Sequence, residues 1–259
     1  MDIPKLYIEF LGTGTSSGVP MIGCSCVVCS SPEKKDKRLR SSILVRTEST
    51  TLVVDTTPDF RYQMLRAGIQ KLDAVIFTHP HKDHLAGLDD IRAFNYFMKK
   101  PMPLYVNDIT AAAIQREYAY AFGEEKYPGV PQIDLQYIKA TNPFVVGDIT
   151  VQPITVMHSQ MPVLGFRFHD FTYITDANFI DDVEKEKIKG SKVLVLNALR
   201  KEVHASHFTL TQAVALGEEL GIPQVYFTHI SHQLGLHENI QQELPANMQL
   251  AYDQLNFCL

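Results

Sequence analysis

Short apolar runs alternate along this chain with segments whose apolar residues recur at helical spacing, a pattern that predicts an α/β protein. Strands are expected at Leu6–Leu11, Ser42–Arg46, Thr51–Val54, Ala74–Phe77, Leu104–Val106 and Ile133–Lys139. Further strands are expected at Ile149–Thr155, Val163–Phe168, Phe171–Ile174, Val193–Leu196 and Gln224–Phe227. Helices are expected at Phe60–Ala67, Ile109–Ala121 and Thr209–Leu220. The last places Leu210, Ala213, Val214, Leu216 and Leu220 largely on one face, with Gly221 as its C-terminal cap and Pro223 just beyond. The aromatic-rich stretch Phe94–Pro131 reads either as a wall over a pocket or dimer contact, or as a helical layer burying its rings. No Pro-, Gly- or Ser-rich linker divides the chain, so residues 1–259 are read as one domain.

Two strand runs end alike, in Ala74–His79 (AVIFTH) and Gln224–His229 (QVYFTH). A polar side chain that ends a strand lies at the sheet rim, where α/β folds gather their sites. The echo predicts two related halves meeting at one site.

The first run leads into THPHKDH, which crowds His79, His81, Asp83 and His84 into six positions. Side chains this polar and this close would leave many atoms without partners in an ordinary core. A divalent cation resolves the difficulty, because neutral imidazole and carboxylate suit Zn²⁺, Mn²⁺ or Fe²⁺. His79 and His81 can converge on one ion, with Asp83 and His84, one turn further on, directed to a second.

A second candidate metal site lies in GCSCVVC. Cys24, Cys26 and Cys29 supply three thiols, one short of a closed tetrahedral zinc site. His232, three positions after His229, is the expected fourth ligand, so one segment would send a histidine to each site.

The H-x-H-x-D-H spacing after a strand resembles the metallo-β-lactamase superfamily, whose αββα four-layer sandwich holds a two-metal hydrolytic centre. The resemblance runs nearly end to end. It implies that His158 completes the first ion's ligands, that Asp176 bridges both ions, and that His229 completes the second. Asp55, after the apolar run TLVV, resembles the family aspartate that hydrogen-bonds and orients site residues. GTGTSSGVPMIGCSCVVC together with FTHISH resembles the PhnP-type phosphodiesterases, a branch with a cysteine-rich structural zinc in its N-terminal loop, here about residues 20–40.

That branch implies hydrolysis of a small cyclic phosphodiester, of the phosphoribosyl 1,2-cyclic phosphate or 2′,3′-cyclic nucleotide type, by a hydroxide bridging two Mn²⁺, Zn²⁺ or Fe²⁺ ions. His207 resembles the branch's general acid, with His204 the alternative, and Asp83 and Asp176 count with it as catalytic. The branch also implies a homodimer. Alternatives are a ribonuclease Z-like RNA-processing hydrolase, a thioester or lactam hydrolase, and a non-catalytic metal-binding member such as those of pyrroloquinoline quinone synthesis.

Composition narrows the partners. A formal net charge of -5 does not attract nucleic acid by blanket electrostatics, so no stable nucleic-acid partner is expected. The basic cluster Lys34–Arg40 reads as a solvated loop ahead of a phosphate-attracting patch. No apolar run approaches the ~18 residues of a membrane span, and no signal sequence is apparent, so a cytoplasmic protein with no membrane partner is expected. Cys258 is read as a plain thiol, and His169 and His237 as surface or core histidines.

Overall fold

Successive side chains of a strand point to opposite faces. In β2 (Ser42–Arg46) both faces are apolar and buried, Ile43 and Val45 on one side and Leu44 on the other. Such a strand needs a covering layer above and below, and the rest of the chain supplies both. The computed structural model describes residues 4–124 and 127–259.

The first sheet contains β1 (Tyr7–Gly12), β2, β3 (Thr51–Val54), β4 (Ala74–Ile76), β5 (Met102–Val106) and β6 (Ile133–Tyr137) in that spatial order. The second contains β7 (Phe144–Val146), β8 (Ile149–His158), β9 (Met161–Phe168), β10 (Phe171–Tyr173), β11 (Val193–Asn197), β12 (Gln224–Thr228) and β13 (Met248–Leu250). A final strand, β14 (Asn256–Cys258), joins the first sheet beside β1 and carries the exposed thiol of Cys258. Each sheet runs antiparallel through its early strands and parallel through its last ones.

The two sheets therefore share one plan, as the Thr-His echo suggested, but the echoing strands do not occupy equivalent places. β4 is third from its parallel edge and β12 is second, so the counterpart of β4 is β11. The shared ending reflects a common task at the rim.

The inner faces of the sheets meet in a core that includes Phe10, Ile43, Val54, Ile76, Phe166, Phe171 and Val195. Against the outer face of the first sheet lie α1 (Phe60–Arg66), α3 (Arg92–Met98) and α4 (Asp108–Glu117), and α2 (Lys82–Leu85) joins the same cluster through Leu85. Against the second lie α5 (Asp182–Ile188), α6 (Leu210–Glu219) and α7 (His237–Gln241). The order helix, sheet, sheet, helix is the expected αββα sandwich. Each fully buried large apolar side chain contributes about 1.5–3 kcal/mol.

Local chemistry sets the boundaries. α6 begins with a capping box between Thr209 and Gln212, buries Leu210, Ala213 and Leu216, and ends before Gly221 at φ +63°. α4 stops at Glu117 rather than Ala121, because Tyr118 leaves the helical conformation and a 3₁₀ turn follows. In the aromatic stretch Phe94 and Tyr118 are buried, while Tyr96 and Phe97 are 67% and 78% exposed. That region is thus neither purely a core layer nor a closed wall, and its Glu125 and Lys126 lie outside the described residues. No helix among the described residues is long and apolar enough to cross a membrane.

The basic cluster is not the solvated loop expected of it. Arg38 is buried, donates to Thr13 Oγ1 at 2.8 Å, and lies 3.0 Å from His237 Nδ1. Burial brings its pKa down to about 10, opposed by Asp253 and Asp36. Arg40 is occupied by Asp59 and the Ser16 carbonyl. His237 is a core residue whose backbone N–H donates to Asp36.

Candidate metal centre

Strand ends from both sheets converge on one rim. β3 leads to Asp55, β4 leads through Thr78 to His79, β8 ends at His158, β10 leads to Asp176, and β12 leads to His229. Asp55, Asp176 and His229 adopt left-handed backbone conformations, with φ of 68°, 54° and 56°. Such conformations cost non-glycine residues about 1–3 kcal/mol and persist where surrounding structure imposes them, often at functional sites. Immediately after His81, α2 turns Asp83 and His84 towards the same rim. Gly87 permits this, since a Cβ there would overlap the Thr57 carbonyl that follows Asp55.

Two groups of potential ligand atoms result, each with all atoms within 4.8 Å of one another. One consists of His79, His81, His158 and Asp176, and the other of Asp83, His84, Asp176 and His229. Asp176 belongs to both and divides its oxygens between them. Its Oδ2 lies 3.7 Å from His79 Nε2, while its Oδ1 lies 3.4 Å from His84 Nε2 and 3.0 Å from His229 Nδ1.

The hydrogen bonds behind the histidines fit cations. Asp55 accepts from the Thr78 backbone N–H, the Thr78 hydroxyl and His84 Nδ1, each at 2.8 Å. With its proton committed to Asp55, the Thr78 hydroxyl accepts from His79 Nδ1 at 3.0 Å. His158 Nδ1 donates to the Ser206 carbonyl at 2.8 Å. One nitrogen of each ring is thereby tied back, which fixes the tautomer and aims the other nitrogen inward. His79 Nε2 and His84 Nε2 are buried without a hydrogen-bond partner. Unpartnered buried nitrogens beside carboxylates suit a divalent ion.

Charge follows the same geometry. Burial, reinforced by His84, holds the pKa of His79 well below the usual range, which keeps it neutral and able to ligate. Burial also opposes charge on His84, but Asp176, Asp83 and Asp55 together hold its pKa well above normal. The field that retains a proton there would retain a cation. Against its own burial, Asp176 is kept ionised by His229 and His84, and its pKa lies well below the carboxylate range.

His207 is buried with Nε2 3.3 Å from Asp176 Oδ2, and its ring packs between those of His158 and His229. Its Nδ1 meets Ser206 Oγ at 3.0 Å and His204 Nδ1 at 3.2 Å, so His204 stands behind it rather than at the ligand cluster. Burial lowers the His207 pKa to about 4 despite the Asp176 hydrogen bond.

Cys24, Cys26, Cys29 and His232 form a third group of potential ligands. His232 Nδ1 lies 3.5 Å from Cys24 Sγ and 3.3 Å from Cys26 Sγ. The Cys29 backbone N–H donates to Cys26 Sγ and, with His232, lowers the Cys26 pKa to about 6, whereas burial raises that of Cys29 to about 11. The donor set suits a tetrahedral zinc.

Every residue expected at these sites is therefore brought to them. Sequence reasoning missed Thr78, the Ser206 carbonyl and Thr15, whose hydroxyl lies 3.2 Å from His229 Nε2. Thr78 had a signal, since it occurs in the Thr-His ending of β4.

Comparison with known proteins agrees with this geometry. Residues 50–230 match the Beta-lactamase superfamily domain. A crystallised diphosphatase of the PhnP family is 38% identical, with a TM-score of 0.93 over 98% of this chain and 97% of its own. An octanoyltransferase of Porphyromonas gingivalis is 38% identical over 247 residues, 95% of this chain, which spans only 50% of that protein's length. Zn²⁺-bound PqqB from Methylobacterium extorquens shares the fold at 19% identity, with a TM-score of 0.79 over 97% of this chain and 99% of its own. With its paired histidine–aspartate clusters at the rim of an αββα sandwich, the chain belongs to the metallo-β-lactamase superfamily, in its PhnP branch, and is a metal-dependent hydrolase.

Proposed function

We propose that the chain hydrolyses a small phosphodiester of the cyclic type, such as phosphoribosyl 1,2-cyclic phosphate or a 2′,3′-cyclic nucleotide. The observation that carries this reading is Asp176, which offers one oxygen to each ligand group while His207 approaches the oxygen facing His79. The first ion would be held by His79, His81, His158 and Asp176, and the second by Asp83, His84, Asp176 and His229. The chemistry such ions supply when bound is activation of water and neutralisation of phosphoryl oxygens. Zn²⁺, Mn²⁺ and Fe²⁺ all suit these donors. A structural zinc on Cys24, Cys26, Cys29 and His232 would pin the N-terminal loop of one domain.

The protein's own part is to orient and to move a proton. Asp55, Thr78 and the Ser206 carbonyl hold three imidazoles in one tautomer, so substrate meets a prearranged set of donors. His207 is the proton donor to the departing alkoxide. With its pKa at about 4 it is neutral near pH 7; the negative charge of a seated phosphodiester would raise that value, so that the ring takes up a proton from solvent and passes it to the alkoxide. The substrate is a small molecule, with no stable nucleic-acid or membrane partner, and the protein works in the cytoplasm, as a homodimer if it follows its branch.

The 38%-identical diphosphatase supports a second reading, cleavage of a phosphoanhydride at the same site. Metal-loaded protein assayed on 2′,3′-cyclic nucleotides, diphosphate-linked nucleotides and a tRNA precursor separates these readings. Turnover of the cyclic diesters is expected, and His207→Ala should lower it by about 10²–10⁴ without changing metal content. Turnover confined to diphosphates would move the reading to the second, turnover confined to the tRNA precursor would favour RNA processing, and none at all would refute all three.

A further inference from the structure

The histidine ligands differ in where their outer hydrogen bonds originate. Those behind His79 and His84 come from the rim of the first sheet, and that behind His158 comes from the loop containing His207. For His229 the partner at Nε2 is Thr15, 214 positions away in the N-terminal loop, while Thr175 Oγ1 lies 3.5 Å from Nδ1. Both side chains are buried, with 3.2 Å between Thr15 Oγ1 and His229 Nε2. Backbone pairing holds the two segments together, because Ile230 N–H donates to the Thr13 carbonyl at 2.9 Å and Thr15 N–H to the Ile230 carbonyl at 3.0 Å. A few residues further on, the same loop provides the cysteines that meet His232.

On the other side of the ring, His229 Nδ1 lies 3.0 Å from Asp176 Oδ1 and within the second ligand group. A neutral imidazole has one N–H and one lone pair, so the partner of one nitrogen decides the state of the other. We infer that Thr15 is a positioning residue: its hydroxyl accepts the Nε2 proton of His229 and so presents the Nδ1 lone pair to the second cation. Without this acceptor, Nε2–H would be buried unpaired or the proton would shift to Nδ1 and occupy the ligand position.

The inference rests on the two-cation reading above and can be tested apart from it. Titration calorimetry with Mn²⁺ on wild-type protein whose cysteine-site zinc content has been checked first establishes two Mn²⁺ events. Fewer than two would sink the two-cation reading and this inference with it. Given two, Thr15→Val should weaken the second event by about 10- to 100-fold, the usual scale for outer partners of ligands, and leave the first unchanged. Thr15→Ser, which keeps the hydroxyl, should restore it, and the exchange-coupled Mn²⁺ signal in electron paramagnetic resonance should follow the same order. Equal affinity in Thr15→Val, or a loss in Thr15→Ser as large as in Thr15→Val, would overturn the assignment. Should Thr15→Val not fold, ¹⁵N correlation spectra of zinc-loaded wild-type protein decide the matter. A proton on His229 Nε2 supports the assignment, and one on Nδ1 contradicts it.

Discussion

The two kinds of ligand cluster in this chain are built in opposite ways. Around Asp176, side chains drawn from residues 79 to 229 meet at a rim where all but His81 and Asp83 are buried, and most are held from behind by a second hydrogen bond. In the cysteine cluster, three of four ligands lie within six positions, and only Cys29 is buried. The first geometry is a product of the whole sandwich and the second of one turn plus His232. A site assembled by the whole fold can be rigid and dry, which chemistry requires. One assembled locally can staple a loop without demanding much of its surroundings. Changes at the first should therefore be read in metal affinity and turnover, and changes at the second in stability.

The largest effect is expected from Asp176→Asn, which removes the charge shared by both ligand groups. Activity should fall by about 10³ or more, and metal analysis should show loss of bound ions. Near-normal activity would break the comparison at its centre. Asp55→Asn sharpens it, since Asn tolerates the left-handed backbone but cannot match three hydrogen bonds to a carboxylate. Metal affinity should drop by about 10- to 100-fold with the first-sheet core intact, measured by competition with a chelating dye.

Cys29→Ser should do the reverse. A stability loss of about 2 kcal/mol would lower Tm by about 4–8 °C, while kcat at saturating metal stays at the wild-type value. A fall in kcat with no change in Tm would show that the cysteine site takes part in the chemistry. The smallest effect concerns His237, whose pKa burial lowers to about 4, with Arg38 and Lys35 acting in the same direction. Because the folded state disfavours the charged imidazole, this stability is present above the unfolded pKa near 6.5 and is lost as pH falls towards 4. Allowing for solvent screening, the loss is about 1–2 kcal/mol. Denaturant unfolding at both pH values should show a loss in His237→Gln that is smaller than the wild-type loss by this amount, the other buried histidines accounting for the remainder.

How much was legible in the sequence divides along similar lines. His79 and His81 were readable because they crowd behind a strong apolar strand run, whereas His158, Asp176 and His229, at or just past strand ends, were reached through the family resemblance. Asp83 and His84 were readable from their spacing to His79 and His81 alone. The short strands Phe144–Val146, Met248–Leu250 and Asn256–Cys258 were not, because three residues give too little periodicity and their pairing comes from neighbours. α5 was missed since among DVEKEKI only Ile188 is buried, and its start rests on Asp181 capping Val183 N–H. The burial of Arg38 was hidden because its partners Thr13, Ala251 and His237 are distant in sequence. Thr15 was hidden for the same reason. Ligands follow local patterns, whereas the groups that orient them are chosen by tertiary contact.

Anomalous diffraction from crystals grown with Mn²⁺ and Zn²⁺ tests the central claim most directly. The account predicts two ions flanking Asp176, one on each carboxylate oxygen, and a separate zinc on Cys24, Cys26, Cys29 and His232. A single ion at the rim with His84 and His229 turned away from it, or none beside Asp176 at saturating metal, would contradict it.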